Sequence, residues 1–520
     1  MRHKKGQRER GASHTADGPE LYKKLMSVAL DDDGLEDAPP EALDAVIHVF
    51  CTHSPPRWGM PWQRQRQYSS ASSGFVIQGR RLLTNAHSVE FATVLSVCRR
   101  GDDRKFIARC VAVCTECDLA LLTVDDDAFW EGPSAPKPLR FGRLPRLQDA
   151  VAVLGYPVGG DTLSITAGVV SRIEGTEYVH GATQLLACTV DAAINAGNSG
   201  GPVLNEAGLC VGVAFQSLGG DAENVGYCIP TPVVAHFLAD VERNGGANCT
   251  GFPCLSFEWQ PCESPALRAS LGLDRTAGGG VLITRVEPTS PMAAALRRGD
   301  VLTAFDGVAI AADGSVPFRT GERISFDHLI TQRFIGDVST LGVVRDKASL
   351  SVEVTLGTHA VLVPPFVNTA QPPWLIAGGC VFVAGSEPYL KGEFGEEWEY
   401  EAPVPMLHTV FMELAQSADE QCVVLAQILA ARCNVGFDDA SVAHCRVLAF
   451  NGTRVTSLAH LASLLAACSD PFYKLDLDGG QTVLLDAEQC RAEASGILAA
   501  HGVPSPASPD LMPLLMGKTV

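Results

Sequence analysis

Asn195-Ala196-Gly197-Asn198-Ser199-Gly200-Gly201-Pro202 is the stretch on which the reading of this chain turns. A serine hydroxyl is a weak nucleophile until a neighbouring base removes its proton during attack. The oxyanion that then develops on a carbonyl substrate needs preorganised N–H donors. Glycines on both sides of Ser199 permit the backbone angles that aim the amides of Gly197 and Ser199 at one point, which makes these two the candidate oxyanion hole. The same residues also satisfy G-x-S-x-G, the elbow of another hydrolase architecture. That elbow calls for a helix straight after the serine, with Asp and His further downstream. Here Gly200-Gly201-Pro202-Val203-Leu204 follows, which is a strand entry. The partners must lie upstream.

Two upstream segments qualify. Thr84-Asn85-Ala86-His87-Ser88-Val89 follows the apolar strand Arg81 to Leu83, and places an imidazole at the end of a rigid element. Glu116-Cys117-Asp118-Leu119-Ala120-Leu121-Leu122 puts a carboxylate at the mouth of an apolar strand. A half-buried acid needs a hydrogen-bonding partner to stay ionised. An imidazole N–H supplies one, and the pair fixes the tautomer that a general base requires. Taken singly, the histidine reads as structural and the aspartate as a turn residue. Together, in the order His87, Asp118, Ser199, they point to a Ser-His-Asp triad and a serine endopeptidase.

Bulk properties bound the rest. The chain has 520 residues, 46% apolar and 19% charged, which is a globular composition with room for three or four cores. Fifty glycines and thirty-two prolines fit many turns and short strands. A net charge of -19 argues against a nucleic-acid partner, whose phosphates need clustered Lys and Arg. The longest apolar run, around Trp374 to Ala384, falls short of the ~20 residues that span a bilayer, so no integral membrane segment is expected. Seventeen scattered cysteines suit a reducing compartment and buried free thiols. Cys114 and Cys117 form a lone C-x-x-C that reads as packing, since zinc needs a second ligand pair. No metal and no cofactor is expected.

Apolar segments at Ala45 to Cys51, Gly74 to Ile77, Val151 to Gly155, Gly168 to Ile173 and Cys210 to Phe215 read as strands. A helix is predicted over Pro232 to Arg243, stopped by Asn244-Gly245-Gly246. Ala304-Phe305-Asp306-Gly307 is echoed by Ala449-Phe450-Asn451-Gly452, each followed by a strand and a helix, at Phe326 to Gln332 and Leu458 to Ala467. The expected organisation is a disordered leader (1–38), a protease domain (39–247), two related modules (250–360 and 361–500) and a loose Pro-rich tail (501–520).

The motifs TNAHSV, CDLALL, NAGNSGGP and GYCIPTPVV resemble the Deg/HtrA family of serine proteases. Glu287-Pro288-Thr289-Ser290-Pro291 and Arg298-Gly299-Asp300-Val301-Leu302 resemble the core of an HtrA PDZ domain. PWQRQRQYSSASSGF (61–75), YPVGGDTLSITAGVVSRIE (156–174) and EYEAPV (399–404) are similar to plant and algal members with two PDZ modules, nearest the chloroplast-stromal branch. The resemblance implies a mainly β protein: a chymotrypsin-like double β-barrel followed by two α+β PDZ-type domains. It also implies ATP-independent proteolysis of unfolded or damaged proteins, chaperone activity, and a homo-trimer or multiple of trimers. Ala193, six residues before the nucleophile, stands where trypsin-like enzymes carry Asp, so cleavage after Lys or Arg is not expected. Ile194, Phe215 and Leu218 are the candidate walls of a pocket for apolar side chains. Phe252, Cys254 and Leu255 sit where a carboxylate-binding peptide loop belongs, with Cys254 replacing its usual glycine. In the second module the best loop candidate is Ala377 to Phe382. The chloroplast stroma is the expected location. The charged leader departs from a transit peptide, and Lys4, Lys5, Arg8 and Arg10 leave nucleus, nucleolus or cytosol as alternatives. A holdase with a resting site is the alternative function.

Overall fold

The computed structural model describes residues 40–132, 134–158, 160–217, 226–274, 278–368 and 371–516. The leader and Leu218 lie outside the described residues. Strands β1 (Val46–His53), β2 (Tyr68–Ile77), β3 (Arg81–Thr84), β4 (Ala92–Arg99), β5 (Lys105–Cys114) and β6 (Leu119–Val124) close into one barrel, in the order β1-β2-β3-β6-β5-β4. A second barrel closes from β7 (Ala150–Gly155), β8 (Ser164–Tyr178), β9 (Thr183–Val190), β10 (Pro202–Asn205), β11 (Cys210–Ser217) and β12 (Gly226–Pro230). The apolar segments predicted as strands coincide with these elements, Ala45 lying one residue ahead of β1; Gly168 to Ile173 is the middle of the long β8.

Alternation decides what fills each barrel. Ile47, Val49, Val97, Leu122 and Phe129 occupy the first, and Val153, Val190, Val203 and Val211 the second. Phe75, Leu83, Leu154, Leu204 and Phe215 belong to a larger core that fuses the two. The helix Thr231–Arg243 carries a proline in its first turn and buries Val233, Val234, Phe237, Leu238 and Val241. All seventeen cysteines are free thiols, and most are buried, Cys114 and Cys117 included.

A second unit is built on the sheet β13 (Phe257–Pro261), β14 (Val281–Val286), β15 (Val301–Phe305), β19 (Val338–Arg345) and β20 (Ala348–Thr355), with β16 (Val308–Ala309) on β15. The hairpin β17 (Ser315–Arg319) and β18 (Glu322–Ser325) leads to the short helix Asp327–Thr331. Phe257, Phe305 and Phe326 continue the core of the barrels without a break. A third unit has its own core and the order β21 (Trp374–Ala377), β22 (Cys380–Ala384), β23 (Val423–Ile428), β24 (Cys445–Phe450), β26 (Phe472–Leu477) and β27 (Thr482–Asp486), with β25 (Thr453–Arg454) on β24. The echoed segments are equivalent: β15 with β16 matches β24 with β25. The loop after β1 reaches the third unit, where Trp62 lies 6.1 Å from Trp374 and Pro61 O accepts from Gln371 Nε2 at 2.6 Å.

Two expectations for the third unit change. The segment Ala377 to Phe382 is not an open loop. It is the tip of the β21–β22 hairpin, turning at Gly378-Gly379 with Ala377 opposite Cys380, and Asn434 Nδ2 and Leu429 N close the turn on the carbonyls of Gly378 and Gly379. Nor is the end of the chain loose over 501–516. Ile376 N donates to Pro506 O, Ser508 N donates to Trp374 O, and Ala507 and Leu511 are buried. Proline lacks a donor, but its carbonyl still accepts, so a Pro-rich segment can cover a strand edge.

Candidate active site

Asp118, the turn residue immediately before β6, sits in the left-handed region, φ 50°, a conformation that costs a non-glycine residue about 1 kcal/mol or more and clusters at functional sites. Asn85 Nδ2 holds its carbonyl at 2.9 Å. The carboxylate is 0% exposed and is committed to one residue. Its Oδ1 accepts the backbone N–H of His87 at 3.0 Å, and its Oδ2 accepts Nδ1–H of the same ring at 2.7 Å. Burial, the largest influence on that imidazole, pulls its pKa down. The charge and hydrogen bond of Asp118, with the charge of Glu90, outweigh it and leave His87 above its ordinary value. This base is primed to hold a proton.

Ser199 lies on the second barrel, on the turn before β10. A cage of hydrogen bonds clamps its backbone. Ser73 N donates to Ser199 O at 2.9 Å, Ser73 Oγ donates to Gly197 O at 2.7 Å, and Tyr156 N donates to Ser73 Oγ at 2.8 Å. Thr84 Oγ1 secures Ser73 O at 2.7 Å, and Gly200 N donates to Ala214 O at 2.8 Å. Gly197 has φ 97°, and a Cβ there would collide with Tyr156 O and Val158 N, so only glycine fits. Among the described residues, the amides of Gly197 and Ser199 donate to no protein acceptor. The hydroxyl of Ser199 donates to Phe215 O at a long 3.5 Å and makes no hydrogen bond to His87. The first barrel thus carries a carboxylate-backed base, and the second a hydroxyl beside two amides that meet no protein acceptor among the described residues, the groups that acyl transfer requires.

The other candidate residues separate. Ala193 is half-buried in the connection between β9 and β10. Ile194, 6% exposed, packs in the core of the second barrel with its end against Gly226. Phe215 is 2% exposed, with its ring 4.6 Å from Tyr178. Both side chains are buried, and the Phe215 carbonyl accepts from Ser199 Oγ at 3.5 Å. Phe252, Cys254 and Leu255 do lie on the segment leading into β13, but the amides there are mostly taken. Thr250 N and Gly251 N donate to Asp240 Oδ2 at 2.5 and 3.3 Å, Phe252 N to Glu116 Oε2 at 2.6 Å, and Cys254 N to Gly357 O at 3.1 Å. Leu255 packs against the core.

Sequence reasoning passed over Ser73, Thr84, Glu116, Asp240 and His180. The ring of His180, on the β8–β9 turn, stacks on that of His87 with centroids 4.5 Å apart. Ser73 stands in a run of small polar residues, the only local hint that a backbone packs closely there. For the others no local signal exists.

Residues 72–213 match the family described as trypsin-like peptidase domain, and residues 269–356 and 363–510 each match a PDZ domain family. Protease Do-like 2, chloroplastic, of Arabidopsis thaliana is 45% identical over 471 residues, covering 90% of this chain and 76% of that protein. Putative protease Do-like 3, mitochondrial, of the same plant is 37% identical over 477 residues, covering 92% and 82%. A solved structure of the HtrA-type protease AlgW with a decapeptide aligns at TM-score 0.47 and 24% identity, over 62% of this chain and 98% of that one.

Proposed function

This chain belongs to the Deg/HtrA family of Do-like serine proteases, and on that premise we propose that it cleaves unfolded or damaged proteins at internal peptide bonds. Ser199 is the nucleophile, His87 the general base, and Asp118 the group that orients the imidazole. The observation that carries the reading is the double attachment of the buried Asp118 carboxylate to His87, through backbone amide and ring. As Ser199 Oγ bonds to the substrate carbonyl carbon, His87 Nε2 takes its proton. The imidazolium, steadied by Asp118, then passes that proton to the leaving amine, and water repeats the sequence on the acyl-enzyme. The amides of Gly197 and Ser199 receive the oxyanion; one such donor is typically worth about 2.7–4 kcal/mol of barrier.

The 3.5 Å contact between Ser199 Oγ and Phe215 O favours a second reading of the same site, a resting state that holds unfolded chains without cutting them. On the protease reading, the hydroxyl leaves Phe215 O and turns to His87 as substrate binds. We assign the protease domain to residues 39–247 and the PDZ modules to 250–360 and 361–500, with assembly as a trimer or its multiple and residence in the chloroplast stroma. Casein cleavage by the chain and by Ser199→Ala of equal melting temperature tests the reading. Cleavage confined to the wild type supports it, and equal cleavage sinks it.

A further inference from the structure

The β8–β9 turn delivers His180 from one barrel onto a side chain of the other, and its placement is tightly held. Tyr178, fully buried, donates its hydroxyl to Leu186 O at 2.6 Å, and the amides of Gly181 and Ala182 both return to Tyr178 O. A Cβ at Gly181 would collide with the carbonyls of Thr115 and Glu116, so the turn is pressed onto the backbone just before Asp118. His180 itself remains exposed. Its ring faces His87, and the ligand atoms of His87, Asp118 and His180 all lie within 4.8 Å of one another.

We propose that His87 and His180 form a binding site for a zinc-class divalent cation, with Asp118 behind it, and that occupation of this site stops proteolysis. Nδ1 of His87 is engaged by Asp118, so Nε2 is the nitrogen that faces a ligand. A carboxylate on the far nitrogen is the arrangement that orients a metal-binding imidazole and raises its basicity. Neutral imidazoles suit zinc, which holds nitrogen at about 2.0–2.1 Å, so two ring nitrogens on one ion converge to about 3.3 Å. The ligand atoms lie within 4.8 Å of one another, and rotation of the exposed His180 side chain brings its nitrogen to the spacing zinc needs while the backbone stays fixed. The bond to zinc uses the Nε2 lone pair, the same pair that must accept the proton of Ser199. Water completes the coordination, and a chelator reverses it.

The inhibitory half of this inference rests on the proposed triad; the binding half does not. Zinc chloride is titrated calorimetrically into the full chain, into His180→Ala, and into His180→Cys, which restores a zinc ligand. Casein cleavage is followed on the same samples. The expected result is a zinc site weakened about tenfold or more in His180→Ala and retained in His180→Cys. Zinc should stop cleavage by the wild type, EDTA should restore it, and His180→Ala should keep cutting at zinc levels that silence the wild type. Equal zinc affinity in wild type and His180→Ala overturns the site, whether or not casein is cut. Zinc binding through His180 in a metal-free chain that cuts no casein leaves the site standing and removes the protease reading instead.

Discussion

The carboxylate of Glu116 accepts the backbone N–H of Phe252 at 2.6 Å, which ties the loop carrying Asp118 to the segment that opens the first PDZ module. Burial pushes this carboxyl up to about 7; the Phe252 N–H opposes the rise and the charge of Asp240 adds to it. A pKa raised on folding means that the folded chain prefers the protonated acid. The stability it contributes is full below the ordinary value of 4.5 and is lost as pH rises through about 7. From about pH 6 to about pH 8 the melting temperature of the wild type should therefore fall more than that of Glu116→Gln. Parallel curves for the two proteins would remove Glu116 as the titrating group.

His236 behaves in the opposite sense. Its ring is sandwiched between Phe252 at 4.1 Å and Phe334 at 4.3 Å, and Nε2 is buried without a partner. Burial brings its pKa down to about 4, only partly offset by Asp240. A depressed histidine favours folding while it is neutral, so the contribution stands above 6.5 and is lost as pH falls toward about 4. His236→Phe, which keeps the aromatic stack and cannot protonate, should melt at a temperature less sensitive to acid over that window. Increased acid sensitivity in the variant would contradict this.

Ser73 is a positioning residue. Ser73→Ala strands Gly197 O and Tyr156 N, both now bonded to its hydroxyl, at a cost of about 1–3 kcal/mol each. Because Gly197 supplies a proposed oxyanion donor, kcat should fall while KM for a peptide substrate changes little. A rise in KM alone would assign Ser73 to substrate binding.

Asp118→Asn keeps the size of the side chain and removes the charge that holds His87 in one tautomer. A fall of about 10⁴-fold in kcat with an unchanged circular dichroism spectrum is expected. A fall below tenfold would mean that the proton leaves Ser199 by another route.

Much of this architecture was legible in the residues. The strands were readable from β-branched and apolar runs between turns, while their closure into two barrels was what the family resemblance implied; Thr231–Arg243 was readable because its apolar face repeats at helical spacing. His87, Asp118 and Ser199 were each flagged by small or apolar neighbours that leave a polar group at the end of an element. Ile194 and Phe215 could be read either as pocket walls or as core, because an apolar residue beside a site and one inside a core look alike in sequence; both pack into cores. Glu116, Asp240 and His180 act across contacts between distant segments, such as 116 with 252, and no local pattern encodes those. The segment 501–516 was misread for a different reason: proline content reports missing donors and says nothing about carbonyls that accept.

Reaction with a fluorophosphonate, followed by peptide mapping, tests the triad most directly, because only a serine with a working base and oxyanion hole is phosphonylated quickly. A single adduct on Ser199, abolished in His87→Ala, is the predicted result. Casein cleavage with no adduct at Ser199, or an adduct that forms as fast without His87, would contradict it.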